Sequence, residues 1–322
     1  MRSDLAHVDD GRMSQVDTGG QSRRALSWLA LGVVYVVWGS TYLAIRVGVR
    51  HVPPLLFAGT RYVIAGALLY PFARAASRRA RTAGEPGSGE PGSGSDAKAW
   101  LAAAVMGILL LFGGNGGVTV GERTLPSGLA AVLLATVPLW MIVFAWILRL
   151  QRATTRSTVG LAVGLCGVVV LAGAGTASGH LSAVIIVLVG AAAWGFGSVV
   201  SHRLPLPAHA LLAAGMEMLV GGAVLLAAAG ATGEFAHFQV SDVPATSWIA
   251  WGYLIGPGSI LAFSAYNYAL SHLPVSTVST YAFVNPVVAV LLGALLLGER
   301  LTWREGLGAA LVVISIRSAL QT

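Results

Sequence analysis

Two charged residues stand alone inside long apolar runs, Arg61 in residues 55–69 and Glu217 in residues 211–225. A guanidinium keeps its proton at any working pH, so an arginine in such a run needs an acid, a water or an anionic ligand. Two readings of the pair stay open. It is a structural ion pair that fixes the packing of its two helices, or Arg61 holds an anionic or carboxylate group of a substrate while Glu217 binds a cation or titrates for proton coupling. Asn115, Asn267 and Asn285 also lie in apolar runs. An unsatisfied amide is costly there, so they are expected to face the interior, as interhelical glue or as substrate contacts. Trp38, Tyr42, Trp194, Tyr266 and Tyr281 offer apolar walls with polar tips, suited to an amphipathic ligand or a cation. Pro138 and Pro286 each remove a backbone donor from a helix, and such paired breaks are either plain kinks tolerated by packing or pointers to a binding site or the hinge of a rocking half.

Other chemistry finds little support. Glu122 and Glu299 end apolar runs and read as solvated or helix-capping loop residues rather than coupling carboxylates. The seven histidines show no metal-ligand spacing on a helix, so no metal is expected. The segment 173–179 is glycine-rich but wrongly spaced for a dinucleotide loop, and no Walker loop exists to bind ATP, so no cofactor is expected and energy would have to come from a gradient. Cys166, the only cysteine, sits in an apolar run and is expected to be an inert packing residue. No catalytic cluster is legible, and an enzyme is not expected.

The elements that position these residues follow from composition. Of 322 residues 56% are hydrophobic and 10% charged, against about 45–50% and about 25% in soluble domains. With a mean hydropathy of +0.76, such a chain cannot cover its surface with polar groups, so most of it must sit in lipid. A net charge of +7 would suggest nucleic acid in a soluble protein, but the arginines flank apolar runs and read as membrane orientation, with no nucleic-acid partner.

A spanning helix needs about 20 apolar residues. Reading between the charges predicts an all-α membrane protein of ten transmembrane helices, near 26–45, 53–73, 99–120, 125–148, 157–175, 181–201, 207–230, 246–269, 275–297 and 303–320. Residues 1–25 form a polar tail, and the tandem Gly-Glu-Pro-Gly-Ser of 84–95 reads as a disordered linker loop. With the N-terminus inside, 14 of the 20 basic residues fall on the cytoplasmic side and five on the other, with Arg61 in a helix. Both termini are therefore expected in the cytoplasm.

The chain repeats itself. Residues 55–69 align with 211–225, and Trp38-Gly39 with Trp194-Gly195, at an offset of 156. Leu125-Pro126, Pro138, Thr154 and Gly160 align with Leu273-Pro274, Pro286, Thr302 and Gly308 at an offset of 148. The shift falls at the linker. Two five-helix units are expected, 26–175 and 181–320, and an odd number of spans forces the second to be inverted, as in many secondary transporters.

Several segments carry a family likeness. Trp38-Gly-Ser-Thr-Tyr-Leu-Ala-Ile-Arg46, Ala58-Gly-Thr-Arg-Tyr62, Asn115-Gly-Gly117, Pro126-Ser-Gly-Leu-Ala-Ala131 and Asn285-Pro through Gly298-Glu299 together resemble the EamA-type transporters of the drug/metabolite transporter superfamily. The resemblance implies a ten-helix inner-membrane carrier, commonly an exporter of amino acids, metabolites or amphipathic drugs, with a central cavity lined by the first four helices of each half. Glu299 aligns with Gln151, so that motif is intact only in the second half.

The resulting expectation is a secondary-active exporter of a small-molecule substrate, embedded in membrane lipids and working by alternating access. Its rivals are a passive channel or facilitator and a membrane-embedded enzyme acting on a lipid. Glycines at 160, 164, 306 and 308 favour close helix packing and leave a homodimer open.

Overall fold

The computed structural model describes residues 18–83, 97–150, 180–207, 209–236, 238–273, 275–278, 280–300 and 302–320, with scattered positions between 155 and 170. The linker 84–95, most of the expected fifth span and all but the end of the polar tail lie outside the described residues.

The described residues form an all-helical bundle. In lipid a backbone can satisfy its own polar groups only as helix or closed barrel, and long apolar runs rich in Leu and Ala choose helix. Helix α1 spans Thr18–Gly48 and begins earlier than the apolar run itself. Helix α2 is Pro54–Thr82, with proline at its first position, where the missing N–H costs nothing. The third span joins α3 (Ala97–Met106), a wide π stretch (Gly107–Gly116) and α4 (Gly117–Gly121). The fourth is broken into α5 (Ser127–Leu134) and α6 (Val137–Ile147). After it come α7 (Leu181–Val200) and α8 (Ala210–Ala231). The eighth expected span joins α9 (Ala245–Tyr253), a second π stretch (Leu254–Leu261) and α10 (Ala262–His272). Pro257 lies inside that π stretch, and its missing donor accounts for the widened turn. The ninth is split into α11 (Val275–Val278) and α12 (Tyr281–Leu297), and α13 covers Trp303–Leu320.

Among the described residues seven helices are long and apolar enough to cross a membrane, and Val284–Leu297 is a shorter apolar helix. Exposed side chains such as Phe72, Leu101, Ile147 and Leu295 give the bundle an apolar exterior suited to lipid. Cys166, expected to pack inside, is exposed.

Glycines set the central packing. A Cβ on Gly59 would meet the Leu226 backbone nitrogen at 2.9 Å, and one on Gly66 would meet that of Leu219 at 2.9 Å. On the facing helix, Gly215 lies against Tyr70 and Gly222 against Val63. Helices α2 and α8 therefore run antiparallel at backbone-to-backbone distance, and each contact recurs when both residues are replaced by their repeat equivalents. The same exchange holds further out, where Gly39 of α1 lies against Val288 of α12 and Gly195 of α7 against Trp140 of α6. Close approach of this kind maximises dispersion contacts where lipid supplies no hydrophobic drive.

Candidate functional site

A cavity with about 690 Å³ of non-atom space, the open solvent at its mouth included, lies among helices from both repeat units. About 60 Å³ of it is open to the centres of water molecules, room for roughly four to six waters. Helix α1 contributes Trp38, Thr41, Tyr42 and Ile45, and α2 contributes Arg61 and Tyr62. Asn115 and Val118 come from the third span, Ala131, Leu134, Ala135 and Val137 from the fourth, and Trp194 from α7. The far wall holds Gly258, Phe263, Tyr281, Ala282, Asn285 and Pro286.

Arg61 is the charged group of this lining. It is 4% exposed, and its guanidinium stacks over the Tyr62 ring with Cζ 4.1 Å from the centroid. Nη2 donates to the Tyr62 hydroxyl and, at 3.4 Å, to Asn115 Oδ1. Nε and Nη1 are buried without a partner. A guanidinium carries five donors in a fixed fork; here Nη2 is held, while the donors on Nε and Nη1, which lie on different edges of the group, are unused.

Glu217 does not complete it. Since Gly59 is level with Leu226 and Gly66 with Leu219, Arg61 is level with Val224 and Glu217 with Leu68. The two are seven residues apart along the crossing, about 10 Å at ~1.5 Å per residue. The structural ion pair allowed by the sequence is therefore not made. Glu217 is half-buried and outside the cavity lining, near enough to Tyr266 to act on it electrostatically.

The aromatic residues converge on Trp38. Its ring lies 5.0 Å from that of Tyr266, 5.3 Å from Phe263, 5.3 Å from Tyr281 and 6.5 Å from Trp194, mostly edge to face. Each such pair contributes about 0.5–1.5 kcal/mol beyond area burial. Tyr266 supports this wall from behind rather than lining it. Asn285 is 4% exposed, and with its amide turned to donate it reaches the carbonyls of Tyr281 and Tyr35, each at 3.3 Å. The side chain of Asn267 lies outside the described residues.

Pro138 sits just after the break between α5 and α6, whereas Pro286 lies within α12, whose span turns earlier, at Thr280. The two breaks are not at equivalent places. The carbonyls that lose their helical donor are equivalent: Leu134 and Ala282, four residues before each proline and 148 apart, both on the cavity wall.

Sequence reading missed two groups. Tyr62, fully buried, was hidden because neighbouring helix residues point about 100° apart and adjacency to Arg61 is no sign of contact. Glu122, expected to be a solvated or capping residue, is 0% exposed, and both its carboxylate oxygens lack a partner. Arg46 donates to its backbone carbonyl, not to its side chain. Glu122 follows the span Ala97–Gly121. Burial pushes its carboxyl well above the usual carboxylate range; Arg46 pulls it down, Glu299 pushes it up and Arg61 pulls it down. Glu299 does cap, as expected. Its oxygens accept from the Ser127 amide at 3.1 Å, and Oε2 also from the Ser127 hydroxyl at 2.7 Å.

Comparison with known proteins agrees with this architecture. One solved crystal structure matches with a TM-score of 0.57 at 22% identity, covering 93% of this chain and 97% of its own, a likeness of fold. The "Uncharacterized inner membrane transporter YedA" of Escherichia coli K12 is 40% identical over 291 residues, 89% of this chain and 88% of its own length. A protein of Salmonella typhimurium named "Probable amino-acid metabolite efflux pump" is 24% identical over 90% of this chain and 92% of its own. The model of the EamA-like transporter family matches residues 25–173 and again 181–320. With nearly the whole chain matched in two copies and a relative at 40% identity, this protein is a multi-pass membrane transporter that belongs to the EamA-like transporter family.

Proposed function

We propose that this chain is a secondary-active carrier of the inner membrane that exports small carboxylate-bearing solutes, amino acids and related metabolites among them, by alternating access. The observation that carries the reading is the buried Arg61 guanidinium at the cavity wall, with its Nε and Nη1 donors unpaired. No acidic side chain lines the cavity among the described residues, so the counter-charge is left to the solute. A carboxylate would accept a charge-assisted hydrogen bond from Nη1 or from Nε, which do not share an edge of the group. The walls of Trp38, Tyr42, Trp194 and Tyr281 would take its apolar part or an ammonium, and Asn115 and Asn285 would orient it. The Salmonella relative's name supports the amino-acid class.

Alternating access needs two halves that exchange roles. The antiparallel α2–α8 crossing, with contacts that recur on exchange of repeat positions, supports a second half inverted with respect to the first. Pro138 and Pro286 would serve as hinges, since each lies in a span already interrupted beside the cavity. The excess of basic residues in alternate loops supports both termini in the cytoplasm.

The test is flux in lipid vesicles loaded with a panel of radiolabelled amino acids, amphipathic cations and a neutral control. Wild-type protein should accumulate the carboxylate class under an imposed proton gradient, and Arg61→Ala should abolish that accumulation at matched protein density. Equilibration of solute regardless of the gradient would replace the carrier by a facilitator, and recovery of a chemically altered solute would replace it by an enzyme.

A further inference from the structure

The end of the bundle that holds Glu122 is tied across by side chains from five elements. Glu299, after α12, holds the start of α5 through Ser127. Glu234, after α8, accepts from the Leu56 amide at 2.8 Å at the start of α2. Arg46 of α1 holds the Glu122 carbonyl, and His51 meets Ser247 of α9 at 3.2 Å. Glu122 lies beneath these ties.

The charged and titratable groups around it are Arg46 and Tyr42 from α1, Arg61 from α2 and Glu299 beyond α12. On α7 the apolar Val187 packs against the preceding residue, for a Cβ on Gly121 would lie 2.4 Å from it. Among the described residues no side chain donates to either Glu122 oxygen, and the Arg46 Nε is itself buried without a partner. A fully buried carboxylate with no donor would bear a large desolvation cost, which a bound proton removes.

We propose that Glu122 is a proton-binding site of this protein, a carboxylic acid that holds its proton while the tied end is closed and yields it to water when that end opens. The reaction is protonation of one carboxylate oxygen and its reversal, with no other group consumed. Tyr42 and Arg61 line the cavity and also act electrostatically on Glu122, so the proton site adjoins the place of a solute. The inference rests on the carrier reading only for the use made of the proton. Glu217, which stands outside the cavity and away from the ties, is not needed for it.

Two measurements test it on the full chain in lipid vesicles without any solute. Infrared spectra at neutral pH should contain a protonated-carboxyl component that disappears in Glu122→Gln and persists in Glu217→Gln; a component unchanged by Glu122→Gln overturns the proposal. Spin labels on Arg123→Cys and Arg300→Cys, with Cys166→Ser, should move apart as pH rises in the parent and stay close at every pH when Glu122→Gln is added. Identical pH courses with and without Glu122→Gln overturn it as well. A chain that shows both responses but no flux would sink the carrier reading alone.

Discussion

Glu299 and Ser127 are 172 positions apart, yet the carboxylate of one accepts hydrogen bonds from both the backbone N–H and the hydroxyl of the other. The bond joins the end of α12 to the start of α5. Its geometry depends on Gly298, whose φ of +66° turns the chain back, and on Gly293, where a Cβ would lie 2.3 Å from Glu299 Oε2.

Loss of this cap should therefore be felt at the tied end first. Glu299→Ala should lower stability by ~1 kcal/mol, the usual worth of a helix N-cap. Gly293→Ala should do the same by displacing the carboxylate without deleting it. Thermal unfolding in detergent checks the loss, and faster alkylation of Arg123→Cys in both variants would place it at this end.

The α2–α8 crossing should tolerate no added methyl. Gly66→Ala and Gly222→Ala each drive a Cβ against a backbone nitrogen, at 2.9 and 2.7 Å, and should cost about 1–3 kcal/mol. Gly252→Ala and Gly256→Ala, with nothing within 4 Å, should be neutral or stabilising by up to about 1 kcal/mol. Unfolding midpoints of the four variants decide the matter.

Arg61 should discriminate solutes by their carboxylate. Arg61→Lys keeps the charge but not the planar fork, and should weaken carboxylate binding by about tenfold, roughly 1.4 kcal/mol, with Arg61→Ala losing more. Binding of an amphipathic cation lacking a carboxylate should change little. Scintillation proximity binding to purified protein gives both constants.

Stability should depend on Glu122 in a defined direction. A carboxyl raised by burial binds more protons folded than unfolded, so its folding free energy is most favourable below the ordinary carboxylate pKa and declines as pH rises through the raised one. Glu122→Gln should therefore unfold at a higher temperature than the parent at pH 8, and the gap should close near pH 4. A gap that is constant with pH counts against a titrating Glu122.

Composition alone decided the solvent, and the spacing of charges marked most of the spans, of which the described residues show seven helices long and apolar enough to cross a membrane and one shorter. The repeat was equally legible, since pairs such as Gly39 and Gly195 keep their identity wherever two helices must touch. Neither pattern could say how far Arg61 lies from Glu217. Exchange of the halves carries repeat-equivalent residues to opposite sides of the α2–α8 crossing, so sequence equivalence here means separation, and only the tertiary structure reveals a guanidinium left with unpaired donors at the cavity wall. The same limit hid Glu122, which looks like a loop residue at the end of its own span. Its burial is imposed by α1, α7 and the chain beyond α12, elements that no local pattern connects to it.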